Sequence, residues 1–366
     1  MPGPTDDVVI TNANTYSVLL TGSVAIADFY IGGGGAGTRS LVFSNWNTTL
    51  TTTNVTILIN GNMTCIGGFS NLPFMSNRVS IACSNNLTIE SGGIINVNVK
   101  GYNGAPFSQN GSGPGGGANS GFSGGGYGGR GGSTGGGATY GAPEGPAYPG
   151  SGGGGSGGYG GTGGNGGGAV QIQAGGLVTV NGSIRADGGY GGGYTGGGSG
   201  GGVYIACRTF AGTSGVITVD GGGASSLLNS GGGGGGRVTI IYDPTLQTNQ
   251  PIPNVRFSAY PGLATYNGVV GGRMGGLGTV YFPEPSFYSG PTGDTYYPFS
   301  GVLLAPGLTN LSFDNLRLNN VWVQISTNNF CLTVTNDLQI VGLTNTLTKL
   351  ELTNAIMTVE RNRFAD

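Results

Sequence analysis

The feature that most constrains this chain is a unit that occurs four times: a glycine tract, a short strand, a turn and a second strand. The first strands read Val170-Gln171-Ile172, Val203-Tyr204-Ile205, Val238-Thr239-Ile240 and, more loosely, Val280-Tyr281-Phe282. The first two spacings are 203 − 170 = 33 and 238 − 203 = 35 residues. A sister copy without a preceding glycine tract starts at Val79-Ser80-Ile81. Second strands follow in step as Ile95-Asn96-Val97-Asn98, Ile184-Arg185-Ala186-Asp187, Ile217-Thr218-Val219-Asp220 and Val255-Arg256-Phe257-Ser258. A unit of two or three short strands cannot bury its own apolar face. Stacked in register on its neighbours, it buries a continuous core and pairs its backbone with the units above and below. The expected fold is therefore all-β, a right-handed parallel β-helix (β-solenoid) with rungs about 4.8 Å apart. An antiparallel sandwich would need two-residue Asn-Gly turns between neighbouring strands, whereas Asn60-Gly61 and Asn181-Gly182 fall within rungs.

No stretch keeps a helical apolar period, while short alternating runs such as Val55-Thr56-Ile57-Leu58-Ile59 recur from end to end. Glycine supplies 83 of 366 residues, a level common in low-complexity chains. The hydrophobic fraction is nevertheless 37%, more than a disordered chain carries. The tracts are also regular. Gly157-Gly158-Tyr159, Gly160-Gly161-Thr162 and Gly163-Gly164-Asn165 have a three-residue period, as do Gly125-Gly126-Tyr127, Gly128-Gly129-Arg130 and Gly131-Gly132-Ser133. Three is the period of polyproline II, a conformation polyglycine can adopt. The excursions are thus expected to leave one corner of successive rungs and pack as a polyglycine-II-like layer. The plainer reading is flexible loops.

Residues 1–100 read as N-terminal rungs, 101–281 as rungs with long glycine loops, and 282–366 as a Pro/Tyr-rich connection followed by C-terminal rungs. Together they are expected to form one elongated domain. The run Leu332-Thr333-Val334-Thr335-Asn336-Asp337-Leu338-Gln339-Ile340 repeats the design of Ile81-Ala82-Cys83-Ser84-Asn85-Asn86-Leu87-Thr88-Ile89. The end at Arg361-Asn362-Arg363-Phe364-Ala365-Asp366 carries no capping helix, which suggests a fragment of a longer protein or end-to-end stacking on another copy.

Several function classes are disfavoured. Charge is sparse, 13 basic against 15 acidic residues for a net −2, so neither nucleic acid nor an anionic membrane surface is an expected partner. No apolar run is long enough for membrane insertion. Histidine is absent, which removes Ser–His and Cys–His nucleophiles and imidazole metal sites. Cys65, Cys83, Cys207 and Cys331 fit no C-x-x-C pattern and read as small buried hydrophobes. Met1-Pro2-Gly3-Pro4 is no signal peptide. The composition still suits a secreted or bacterial cell-surface protein whose signal has been removed. Sequons headed by Asn47, Asn54, Asn62, Asn86, Asn110, Asn181 and Asn310 arise readily in so Asn/Thr-rich a chain.

Units such as Gly200-Gly201-Gly202-Val203-Tyr204-Ile205-Ala206 with Gly215-Val216-Ile217-Thr218-Val219-Asp220-Gly221-Gly222 resemble Gly-rich β-helical surface proteins of environmental bacteria. They are also similar to autotransporter passenger domains and, more remotely, to the pectate-lyase-like β-helix superfamily. The resemblance rests on repeat style over roughly residues 50–360. It implies an extracellular structural or adhesive protein, a surface fibre, matrix component or adhesin, that binds polysaccharide or other copies of itself. The alternative is a polysaccharide hydrolase or lyase, since adhesins and such enzymes share that scaffold.

The candidate chemistry sits at the same place in successive units. Asp187 and Asp220 share a column with Asn98 and Ser258. On adjacent rungs the two carboxyls would lie about 5 Å apart, suitable for a retaining glycosidase pair or a Ca2+ ion. The bland reading is that they cap backbone N–H groups at the turn into glycine. Arg185, two residues before Asp187, shares its face, and with Arg208, Arg237 and Arg256 could form a basic strip for acidic sugars. Lys100 and Lys349 are the only lysines, which disfavours a lyase. Tyr127, Tyr159, Tyr190 and Tyr194 stand among glycines as flat platforms for sugar rings, or else fill space between glycine layer and rungs. No glycine tract is a phosphate loop. Thr48-Thr49-Leu50-Thr51-Thr52-Thr53 lacks the regular Thr-x-Thr array that ice binding would require.

Overall fold

A computed structural model describes residues 2–69, 75–156, 160–224, 230–266, 269–270, 273–290, 295–342 and 347–359. Three parallel sheets of 17, 6 and 3 strands and one two-stranded antiparallel pair account for its strands. The six-stranded sheet runs Val8–Ile10, Asp28–Ile31, Asn54–Ile57, Leu87–Ile89, Leu177–Val180 and Thr209–Ala211. Its register stacks Ile10, Ile31, Ile57, Ile89 and Val180 in one inward column. The large sheet has two wings. In the first, Leu41, Met63, Ile95, Ile184, Ile217, Phe257 and Phe299 form the inward column. In the second, Val79, Val170, Val203, Val238 and Val280 stand opposite one another, beside Ile81, Ile172, Ile205 and Ile240. The three inward faces meet in one apolar core. Each fully buried Ile or Val there is worth about 1.5–3 kcal/mol of transfer free energy.

The expectation of a right-handed parallel β-helix is overturned by this strand layout. A uniform coil would carry every sheet through every turn, but these sheets are unequal, with 17, 6 and 3 strands. The six-stranded sheet stops at Thr209–Ala211, where the short helix Pro244–Gln247 takes the next place. Gln247, buried, accepts a bond from Phe210 N at 2.8 Å and donates one to Phe210 O at 3.0 Å, so one side-chain amide ends the ladder. Asp243 caps that helix by accepting from Thr245 N and Leu246 N. Beyond it, the strand Phe299–Leu304 fuses the two wings. Phe299 and Ser300 pair with Phe257 and Ser258, whereas Val302–Leu304 pair with Thr279–Tyr281. Gly301 between them has φ 143°, the bend that lets one strand serve both. The last sheet is also irregular. Asn310–Asn319, Phe330–Val341 and Ala355–Val359 pair with one another, with a register shift between Phe313 and Asn315. Leu332–Ile340 therefore lies within one long strand, while Ile81–Ile89 breaks into Val79–Cys83 and Leu87–Ile89.

The glycine excursions all leave after a first-wing strand and return before a second-wing strand, and they meet in a body of their own. Its bonding has a period of three. Gly196 and Ser199 donate to Gly154 and Ser151, Gly197 and Gly200 to Gly231 and Gly234, and Gly198 and Gly201 to Gly189 and Ala186. Three successive residues thus bond to three different segments, and the fourth returns to the first. The same rule holds at 231–236, whose partners are Phe122 and Gly125, Arg273 and Gly276, and Gly222 and Val219. An extended chain with three residues per turn aims its amides in this way. Close approach explains the composition. A Cβ on Gly124, Gly200 or Gly233 would stand closer than 3.0 Å to backbone of a neighbouring segment.

Candidate functional site

The carboxylate column is where the sequence pointed, and its geometry is that of a ladder of caps. Asn98 Oδ1 accepts from Asp187 N at 2.7 Å, Asp187 Oδ1 from Asp220 N at 2.8 Å, and Asp220 Oδ1 from Tyr260 N at 2.7 Å. Hydroxyls complete it, with Thr218 Oγ1 donating to Asp187 Oδ2 and Ser258 Oγ to Asp220 Oδ1. A second ladder of the same kind precedes the six-stranded sheet. There Asp7, Asp28, Asn54 and Asn86 each accept from the backbone N–H one repeat on, at Asp28, Asn54, Asn86 and Leu177. Amide and carboxylate members interchange because the role asks only for an acceptor. One column member is corrected: Phe257, not Val255, stands opposite Ile217, so Tyr260 rather than Ser258 follows Asp220 in the column and gives it the backbone N–H that it accepts.

Burial raises the Asp187 carboxyl above its usual range, against the pull of Asp220 N–H, Thr218 and Arg185. Burial pushes the Asp220 carboxyl up to about 7, and the adjacent Asp187 charge adds to the rise. The pair does not suit Ca2+. A hard cation needs six to eight oxygens, whereas three of the four carboxylate oxygens already accept protein N–H or O–H groups. Among the described residues, no group of three or more His, Cys, Asp or Glu is placed to hold a metal.

The other candidates separate. Tyr127 is fully buried, packed on Tyr140 at 4.7 Å between ring centroids and under Arg237 at 5.5 Å, so it is filler rather than platform. Tyr190 is 63% exposed. Tyr194 is half-buried and packs edge-on to Phe122. Tyr159 lies outside the described residues. The basic strip does not form. Arg185 and Arg256 are exposed on the first wing, beside Asp187 and Asp220. Arg237 is buried and bonds to Tyr127 O, Tyr140 O and Thr279 Oγ1. Arg208 is exposed at the far end of the second wing. All four cysteines are free thiols; Cys65 and Cys83 are buried, and Cys207 and Cys331 half-buried.

Sequence reasoning missed a surface on the outer face of the second wing. A trough of about 780 Å³ crosses its strands over Ala25, Thr51, Ala82, Gln173 and Ala206 and ends at Arg208. A second hollow of about 270 Å³ is lined by Arg78, Gln171, Gln173, Tyr204 and the segment Gly145–Ala147. Gln173 belongs to both. Register puts Thr51, Ala82, Gln173 and Ala206 directly opposite one another, and Gln171 opposite Tyr204. Arg78 is anchored by Nε to Trp46 O at 3.0 Å, with its guanidinium 4.8 Å from the Trp46 ring centre. Only the two-residue alternation of Gln171, Gln173 and Tyr204 against Val170, Ile172 and Val203 could have marked this face in the sequence.

No family model, curated protein or solved structure matches this chain.

Proposed function

We propose that this chain is an extracellular structural or adhesive protein, secreted or held at a bacterial cell surface, that presents a rigid parallel-β body and binds polysaccharide. The observation that carries the reading is the glycine body. Segments that are far apart in sequence, at 122–126, 151–154, 186–189, 196–201 and 231–236, are cross-bonded through their backbones. Such a body resists local opening without disulfides or metal, which suits a scaffold exposed outside a cell. The sheets beneath it offer flat outer faces for recognition, and the reading calls for no cofactor.

A second reading, a polysaccharide hydrolase built on Asp187 and Asp220, draws on the raised Asp220 carboxyl. It is weaker, because both carboxyls already cap backbone N–H groups. Incubation with a panel of soluble and insoluble polysaccharides separates the two. The proposal expects retention on at least one polymer with no new reducing ends. Release of sugar, lost in Asp220→Asn, would replace it with the second reading.

A further inference from the structure

We infer that the chain forms a closed two-fold dimer, in which the end carrying Val8–Ile10, Tyr16–Leu20 and Val24–Ala25 pairs edge to edge with the same end of a second copy. These strands are the outermost of the six-stranded sheet, the first wing and the second wing. Among the described residues each pairs on one side only, with Asp28–Ile31, Arg39–Phe43 and Leu50–Thr52. Tyr16 N donates to Thr38 O, and Leu20 O accepts from Ser44 N. Bonded residues alternate along a parallel strand, so the N–H and C=O groups of Ser17 and Leu19 point away from the protein. By the same alternation Val9 and Ala25 present theirs, since Ile10 O accepts from Gly32 N and Val24 N donates to Thr49 O. Exposed edges are ordinarily blunted by Lys, Pro or a bulge. These three strands contain no charged residue and no proline.

The face between the edges is apolar. A hollow of about 410 Å³ opens there, and no charged residue lines it. Val18 and Leu19 on its rim are 39% and 55% exposed. Val18 stands opposite Leu41, so it heads the inward column that runs on through Met63 and Ile95. A two-fold axis beside Val18 lays Tyr16–Leu20 antiparallel on itself. Ser17 and Leu19 then exchange both N–H···O bonds with Leu19 and Ser17 of the second copy, and the two Val18 residues meet as a non-hydrogen-bonded pair. The same axis brings Val8–Ile10 of each copy to Val24–Ala25 of the other, so all three edges close together. The chain returns to the six-stranded sheet after 29 − 8 = 21 residues, a perimeter of about 70 Å. With its side chains that end covers roughly 600 Å² per partner, or about 1,200 Å² in total, where stable dimers begin. Head-to-tail stacking lacks matching edges. At the other end the six-stranded sheet has stopped at Thr209–Ala211, and Phe299–Leu304 has fused the two wings. The second-wing strand there, Lys349–Leu352, carries Lys349 and Glu351.

The test is sedimentation velocity of the full chain over a range of concentrations, with disulfide capture as a second readout. The expected result is a monomer–dimer equilibrium that ends at the dimer, as a closed two-fold contact requires. Leu19→Glu, at an exposed side chain, should weaken it at least tenfold with the circular dichroism spectrum unchanged, and Val18→Lys likewise. Ile356→Lys, at a side chain of the far end that is 66% exposed, should leave it at the parental value. Val18→Cys should give a covalent dimer with oxidised glutathione, which the parent chain should not. The non-hydrogen-bonded pair sets the two Cα atoms about 4.5 Å apart, within disulfide reach. A monomer at every concentration up to about 100 μM, well above what such an area implies, overturns the inference. So does a series of oligomers beyond the dimer that Ile356→Lys abolishes, or a Val18→Cys chain that stays monomeric under oxidation.

Discussion

Two interiors lie side by side in this molecule, and they are built on opposite rules. Under the sheets, columns such as Val79, Val170, Val203, Val238 and Val280 exclude water with side chains, and each backbone bonds only to the strands on either side. In the glycine body there are almost no side chains, and one segment bonds to three neighbours in rotation. The first interior is stabilised by apolar area and the second by backbone hydrogen bonds made at distances that only glycine permits. Removing atoms should therefore damage one, and adding them the other.

The largest effect is expected from Ile205→Ala, which opens a cavity where the side chain is fully buried and should cost about 2–5 kcal/mol in denaturant unfolding. Gly200→Ala should cost about 1–3 kcal/mol or more despite adding a single methyl. Its Cβ would press on the Val219 carbonyl and Gly236 N. Gly145→Ala is the control. Nothing lies within 4 Å of that Cβ, so the change should be neutral or add up to about 1 kcal/mol through the unfolded state. Between these falls Gln247→Ala, which strips Phe210 of both ladder bonds at the end of the six-stranded sheet and should cost about 1–3 kcal/mol.

The Asp220 column joins the two interiors, and acidity should tune it. Its folded carboxyl titrates near 7 against a reference of 3.8, so the folded state binds the proton more tightly. Stability from this group is then greatest below the unfolded value and falls as pH rises from about 4 to about 7. Asp220→Asn keeps an Oδ1 acceptor for Tyr260 N. It should flatten that slope and stabilise the chain at pH 8 relative to the parent, as read from melting curves across pH. An unchanged slope would remove Asp220 from the account.

Much of the register was legible because β-branched residues recur at a fixed phase. Val79, Val170, Val203, Val238 and Val280 stand opposite one another as the repeat implied. The phase failed at Val255, since Val255-Arg256-Phe257 alternates equally well when slipped by two, and a two-residue slip keeps every side chain on its face. Alternation was also blind to how sheets end. Gln247 replaces a strand with one amide, and the 12-residue strand Phe330–Val341 runs unbroken through the stretch where its sister Ile81–Ile89 breaks. At the candidate site, the column Asn98, Asp187, Asp220 and its reading as caps of backbone N–H groups were both legible, but not that each oxygen meets the N–H one repeat on. Tyr127 stayed open between platform and filler because its neighbours in sequence are glycines, whereas its neighbours in space, Tyr140 and Arg237, make it filler. The two hollows on the outer face of the second wing, one holding Arg78 and the other Arg208, draw on residues 130 apart, 208 − 78, which no local window joins.

The claim that the glycine segments form a second interior is tested most directly by amide hydrogen exchange on the intact chain. The account predicts that amides at 124–126, 196–201 and 231–236 exchange as slowly as those in Ala169–Ala174, Gly202–Ala206 and Arg237–Ile241. Exchange of the glycine amides at the rate of an unfolded chain, with the strands still protected, would show them to be loops and contradict it.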